Sequence, residues 1–384
     1  MFSVESATDL AALRAVREPW QDLADAALEP NPFFHPGFFL PLLEELGWPP
    51  GMMVLLVWHE DRTLAALVPL ILRRSGPAGS FAALRSVFLP VPMHVLLATP
   101  LLARERAPGA VDALLDTLDE RRLPARVVEL LGHAEDGPFA ALLDERLSTR
   151  GQPSTRFAGI ARPLLRPAAS AELYLEAALG GRHRRELARQ RRRLEQHGNL
   201  ALVRWRSEEP LGPWIERFLG LEAAGWKGRA GTAMACDPRQ RRFFERACHA
   251  LARSGALEFL ALELAGRPIA MACLLREAKP RGGAFVFKIA YDENYRRHSP
   301  GMQLLLEQLR RVHEADSPLG WIDSCASPRD TLYAQLWLDR RRLGHRLLAP
   351  RSLAGKLLIS AVRAARSLRL SRAAPSESER SRTE

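Results

Sequence analysis

Lysine is almost missing from this chain. Of the 55 lysines and arginines, four are lysines (Lys227, Lys279, Lys288 and Lys356) and all the others are arginines, while alanine and leucine are abundant. That bias is what a GC-rich bacterial genome produces, so part of the net charge of +11 is compositional background. The remainder points to an anionic partner: phosphate, nucleic acid or a membrane surface. Cysteine is scarce too. Cys236, Cys248, Cys273 and Cys325 are scattered with no metal-ligand spacing, which argues against a disulfide framework or a metal centre and makes a reducing cytoplasm the default location. No apolar run is long and clean enough for a bilayer span. Met52 to Trp58 is apolar but runs into Glu60, Asp61 and Arg62. The opening residues, MFSVESATDL, carry acids and no basic n-region, so no secretory signal is expected.

What the chain has is apolar content, 47% of 384 residues, enough for a large core and long enough for two domains. Residues 1–20 read as a short strand leading into a helix. After the turn-rich Asn31 to Phe38, a helical pattern runs from Phe39 to Leu46 and stops at Gly47. Met52 to Trp58 and Leu64 to Leu72 flank a polar turn, a β-hairpin signal. A helix at Val111 to Asp119 and a short strand at Arg126 to Leu131 follow. The phrase then recurs. Leu257 to Leu264 and Pro268 to Leu275 flank Ala265-Gly266-Arg267, Ala284 to Ala290 is a third strand, Gly301 to Glu314 a helix, and Gly320 to Asp323 a strand. The repetition predicts an internal duplication of one α/β unit. The Gly, Pro and Ser residues of Gly151 to Pro167 mark the expected join, giving units at 1–155 and 165–350. Glu172 to Gln196 reads as one long arginine-rich helix. Residues 351–384 form a basic tail, amphipathic over Leu353 to Leu370 and disordered from Pro375.

The stretch Phe285 to Leu306 carries the chemistry. An apolar strand ends at Tyr291-Asp292, a basic loop follows, and Gly301 opens an apolar-periodic helix. Free backbone N–H groups and the positive end of the helix dipole converge there, which makes an anion site. Arg296 and Arg297 add donors that suit phosphate.

This segment resembles the acetyl-CoA pyrophosphate loop of the GNAT superfamily, Gln/Arg-x-x-Gly-x-Gly/Ala. Arg296 takes the first position, Ser299 stands where the central glycine is usual, and Gly301 takes the last. The fuller string, Lys288-x-x-Tyr291-Asp292-x-x-Tyr295 and then Ser299-Pro300-Gly301, resembles the CelD-like branch, related to Fem-type transferases and associated with cellulose or exopolysaccharide biosynthesis. Gly225-Trp226-Lys227, the turn at Gly266-Arg267-Pro268, and Asp323-Ser324-Cys325-Ala326 before Trp337 fit the same branch. The likeness covers residues 170–350; the N-terminal half resembles a degenerate first copy.

The resemblance implies two tandem GNAT-like units, each a mixed twisted sheet flanked by helices, with the donor site in the second. It implies transfer of an acyl group from acetyl-CoA or a longer acyl-CoA to an amine or hydroxyl, without a metal. Arg296, Arg297, Ser299 and Gly301 would hold the donor. Lys288, conspicuous because lysine is so scarce, is a candidate catalytic group, as are Asp292 and Asp323 near strand ends and Tyr333 as a thiolate acid. Trp226 and Lys227 are candidates for the acceptor. Cys325 is read as a small buried residue. The acceptor is expected to be a small molecule, a sugar or a cell-envelope precursor, and the tail a surface for peripheral membrane contact. Two alternatives stand beside this. One is a Fem-type transferase using aminoacyl-tRNA, the sole reading that involves nucleic acid. The other is a non-catalytic GNAT-fold module for envelope machinery.

Overall fold

The structure, a computed structural model, describes residues 1–75, 81–88, 94–279, 281–328 and 330–373. Local chemistry sets the elements of the first half. These are β1 (Phe2–Ala7), α1 (Leu10–Ala15), α2 (Arg17–Asp25), α3 (Pro36–Leu46), β2 (Met52–His59), β3 (Leu64–Ser75), β4 (Phe81–Ser86), β5 (Leu101–Leu102), α4 (Ala107–Asp119), β6 (Val128–Ala134), α5 (Pro138–Arg150) and β7 (Ser154–Leu165). Asp9 caps α1 by accepting from Ala12 N, and His35 caps α3 by accepting from Gly37 N, with Pro36 at the first helical position.

The second half repeats the order. It comprises α6 (Ala171–Ala178), α7 (Gly181–Glu195), β8 (Leu200–Arg204), α8 (Leu211–Ala224), α9 (Trp226–Arg229), α10 (Pro238–Arg253), β9 (Leu257–Leu264), β10 (Arg267–Arg276), β11 (Gly282–Tyr291), α11 (Pro300–Val312), β12 (Leu319–Asp323), α12 (Thr331–Ala334), β13 (Asp339–Leu348) and α13 (Leu353–Ala373). The β9–β10 turn uses Ala265 and Gly266, both at positive φ (49° and 75°), the backbone a two-residue hairpin requires.

The described strands join one mixed sheet in the order β1-β2-β3-β4-β6-β13-β7-β12-β11-β10-β9-β8, with β5 added beside β3. Its two parallel pairs, β4·β6 and β11·β12, fall at matching places in the two halves. At the centre the halves exchange strands. β7, from the first half, pairs with β12, and β13, from the second, pairs with β6. The matching helices α3 and α10 pack on each other. Glu45 takes Arg242 at 2.8 Å and Arg246 at 2.7 Å, and the Phe38 and Phe243 rings meet edge to face. One apolar core runs from Phe33, Phe34 and Phe38 to Phe243, Phe285 and Phe287, so it belongs to neither half alone.

Two expectations are corrected. The residues expected to be a join form β7, a central strand. Gly159 reads as a breaker in sequence, yet a Cβ there would lie 1.8 Å from Leu343 O, so glycine permits this close pairing. The single helix expected over Glu172 to Gln196 is two helices. Leu179 and Gly180 are extended, Leu179 is buried, and Gly180 starts α7 afresh. The tail is helical to Ala373 and lies on the sheet. Ile359 is buried with Ala83, Val127 and Leu347, and Arg366 donates to Arg156 O at 2.9 Å. The segment from Pro375 lies outside the described residues. Among those described, no helix is long and apolar enough to cross a membrane.

Candidate functional site

The site follows from where two parallel strands part. β11 and β12 pair from Gly282↔Leu319 to Phe285↔Asp323, and there β12 ends. β11 continues to Tyr291, paired only to β10 on its other edge. Its main-chain groups on the β12 side are thereby released for another partner. A β-bulge falls in the same stretch. Cys273 pairs with Lys288 but Leu274 pairs with Val286, so Phe287 is the extra residue. Such bulges re-aim side chains, and they occur beside active sites.

A cavity of about 480 Å³ opens where the strands part. Its floor is Ile289 to Tyr291. One wall is the start of α11 with Arg296, Ser299, Pro300 and Gly301; another is the α8–α9 corner with Glu222, Trp226 and Lys227; a third is α7 with His183, Leu187 and Gln190. At the mouth of α11, Ser299 N bonds Arg296 O and Gln303 N bonds Ser299 O. Pro300 has no N–H, which leaves those of Gly301 and Met302 free at the positive helix end. Gly301 packs beside Tyr291 and Leu332, which a Cβ there would meet at 3.6 and 3.7 Å, ordinary contact distances. Ser299 is left-handed, at φ 49° and ψ 55°. The residue standing in for the usual glycine thus keeps the glycine's backbone, at a cost in strain.

The structure brings Arg296, Ser299, Gly301, Trp226 and Lys227 to this cavity. Trp226 is 54% exposed at its rim and fixed through its N–H to Glu293. Arg297 is exposed outside it, beside His298. Asp292 does not line it either: its carboxylate caps the following turn through Asn294 N at 2.9 Å. Asp323 is buried under the sheet, salt-bridged to Arg162 at 2.7 Å and Arg341 at 3.3 Å and accepting from Cys325 N. A carboxylate so engaged is an anchor and not a free base. Tyr333 is 2% exposed and stacked edge-on against Trp337, and its hydroxyl has no partner among the described residues. Burial pushes its pKa up. Cys325 is half-buried beside Asp323, and desolvation pushes its thiol up.

Lys288 points to the face between the halves. Burial pulls its pKa down to about 8, against the raising effect of Glu222. Sequence reading missed two of its neighbours. His94, from the segment between β4 and β5, sets Nδ1 3.4 Å from Lys288 Nζ. Glu222, 2% exposed, takes Lys227 Nζ at 2.9 Å and Met234 N at 2.8 Å. Both look ordinary in sequence: a histidine in a proline-rich loop and a glutamate within an apolar helix. Only the Leu221-Glu222 position on the α8 face that buries Phe218 and Leu219 hints at the second.

A parting strand pair and the start of α11 thus meet at one cavity, with the bulge just before it on β11. Residues 181–327 match an acetyltransferase (GNAT) domain family. That GNAT match contains β11, the bulge, the α11 mouth and the α8–α9 corner, and it ends just after β12. A comparison with proteins of curated function finds no match. Among solved structures the chain is similar to a conserved protein of unknown function from Bacteroides thetaiotaomicron VPI-5482. That likeness has 11% identity over 91% of this chain and 100% of the other, with TM-score 0.53. It is also similar to FemX, with 11% identity over 89% of this chain and 96% of the other, TM-score 0.52. At such identities these likenesses speak for the fold, and both extend well beyond the GNAT match into the first half.

Proposed function

We propose that the protein transfers an acyl group from an acyl-CoA to an amine or hydroxyl, with the second half (165–350) carrying the site and the first half (1–155) closing it. The carrying observation is the divergence of β11 from β12 over the α11 N-terminus. Gly301 and Met302 N–H, with Arg296, would hold the pyrophosphate. Released N–H groups of β11 near the bulge would polarise the thioester carbonyl. Trp226 and Lys227 would orient the acceptor. The acceptor atom bonds to the acyl carbon, the carbon–sulfur bond breaks and the sulfur leaves as a thiolate, to which Lys288 then returns the proton it has taken from the acceptor. The acceptor's proton passes to the Lys288 amine, near half deprotonated at about pH 8. The resemblance to the CelD-like branch supports a sugar or cell-envelope precursor as acceptor. The exposed Leu353 and Leu357 beside Lys356 support peripheral membrane contact through α13.

Calorimetry with acetyl-CoA and longer acyl-CoAs tests the donor. Binding is expected, and Arg296→Ala should weaken it about tenfold, the loss of one charge-assisted phosphate contact. Absence of heat with every CoA ester removes the reading.

One observation favours a second donor. Arg193 and Arg297 are exposed beside His298, which packs against His197 next to the α11 mouth. Such a surface suits a polyanion, as an aminoacyl-tRNA would be. Binding to charged tRNA that falls steeply with salt, with no binding to acyl-CoA, would decide for it.

A further inference from the structure

Beyond the donor site lies a question of what holds Lys288. The bulge at Phe287 turns Phe287 and Lys288 to one face, toward the first half. There the two repeats differ. β11 is continuous from Gly282 to Tyr291, whereas its counterpart in the first repeat is two strands, β4 and β5, and residues 94–100 lead into the second. That segment is clamped. Val95 and Leu97 are fully buried, Asn31 Nδ2 donates to Leu97 O at 3.1 Å and to Thr99 O at 2.8 Å, and Arg162 donates to Leu96 O. His94 leads it at φ 53°, a left-handed backbone that a histidine adopts only when its surroundings fix it.

The ring is fixed on every side. It stacks on Phe243 at 6.0 Å and 8°, and it meets Phe287 edge-on at 5.9 Å. Nε2 lies 2.7 Å from Gln240 Oε1, which accepts only, so the ring proton sits on Nε2. Nδ1 is then an acceptor, and Lys288 Nζ is the donor 3.4 Å away. We propose that His94 is a positioning residue for the Lys288 amine: it takes one N–H, so the remaining lone pair of the neutral amine is turned away from the first half. The reaction centre of the second half is then complete only with the first half packed against it. This rests on Lys288 as proton acceptor.

The other groups that act on Lys288 are Glu222 on α8, Lys227 on α9 and Cys273 on β10. Glu222 and Lys227 also line the cavity. Burial and the nearby Lys288 hold the His94 ring neutral, its pKa pulled down to about 3. A neutral imidazole is therefore present over the whole range in which Lys288 titrates.

With four lysines in the chain, carbon-13 labelling of the lysine ε-carbons gives four NMR signals, and Lys288→Met identifies one. That signal is expected to titrate near pH 8. Nδ1 accepts more strongly from an ammonium than from an amine. His94→Phe, which keeps the stacking and loses the acceptor, should therefore lower the Lys288 midpoint by about one pH unit, a tenfold change in proton affinity. His94→Asn, with an acceptor oxygen near the position of Nδ1, should restore it. Gln240→Leu, which releases the tautomer, is a milder variant and should also move the midpoint. A midpoint unmoved in His94→Phe and Gln240→Leu, whatever the change in Tm, overturns the proposal. A wild-type Lys288 signal that titrates at the ordinary lysine value, 10.5, overturns the proton-acceptor role beneath it. Acyl-CoA affinity is expected to be unchanged in all these variants, so failure of the donor reading shows separately.

Discussion

The ammonium of Lys227 donates to the main-chain carbonyl of Ile289 at 3.0 Å, and to the buried Glu222 carboxylate at 2.9 Å. One side chain thus ties the α8–α9 corner to the strand edge that β12 has left. Lys227→Met would strand the Glu222 charge and is expected to cost about 3–5 kcal/mol, read as a fall in urea midpoint. Lys227→Arg should recover little of this, because a planar guanidinium does not fit a site built for a compact ammonium.

Asp323 should behave as a structural residue. Asp323→Asn leaves Arg162 and Arg341 buried against a neutral amide, an expected loss of about 3–5 kcal/mol. Enough of the variant folds at low temperature for calorimetry, and its acyl-CoA affinity should match wild type. A selective loss of transfer rate in a fully folded variant would return Asp323 to the catalytic candidates.

Tyr333 gives a sharper contrast. Its buried hydroxyl has no partner among the described residues, so Tyr333→Phe should leave Tm unchanged or raise it, by up to about 1 kcal/mol in stability. If the tyrosine protonates the leaving thiolate, the same variant would lose kcat by tenfold or more at that unchanged or raised Tm, an outcome contrary to the burial seen here.

Ser299 carries left-handed strain just before α11. Ser299→Gly is expected to stabilise the protein by about 1 kcal/mol, with acyl-CoA affinity equal or higher. Ser299→Val should do the reverse on both measurements.

Glu29 sets a pH dependence. It is 5% exposed, packs against Gly137 and accepts from Phe139 N at the start of α5. Burial pushes its pKa up to about 7, with Arg341 opposing. The folded state therefore holds this proton more tightly than the unfolded state, whose value is about 4.5. The stability it contributes is full below pH 4.5 and is lost as pH rises through 7. Glu29→Gln should be more stable than wild type above pH 7, by up to about 3 kcal/mol, and equal to it below pH 4.5. Parallel denaturation curves at pH 4 and pH 8 check this.

Much of this was legible in sequence because it is local. Hairpins, the repeated element order and the α11 start depend on side-chain period, turn residues and caps, all readable within ten or so residues. The loop of Arg296, Ser299 and Gly301 is local too: they are near neighbours in the chain, and a strand end and a helix start bring them to one cavity. Gly159 and Leu179 show where local reading stops. A glycine looks like a breaker until the strand that approaches it is known, and Leu179 breaks a helix because a distant core takes its side chain.

A duplicated α/β chain with a basic, glycine-containing strand-to-helix loop before Gly301 can be read from the residues alone. Which charged side chains reach the cavity beside that loop is fixed by the fold. Lys288 and Asp323 are both near the ends of apolar strands, yet one faces His94 and the other is spent on Arg162 and Arg341. That difference arises from the bulge at Phe287 and from the exchange of β7 and β13, which place residues far apart in sequence beside each other. Such pairings are set by the packing of whole strands, and no short window of sequence contains them.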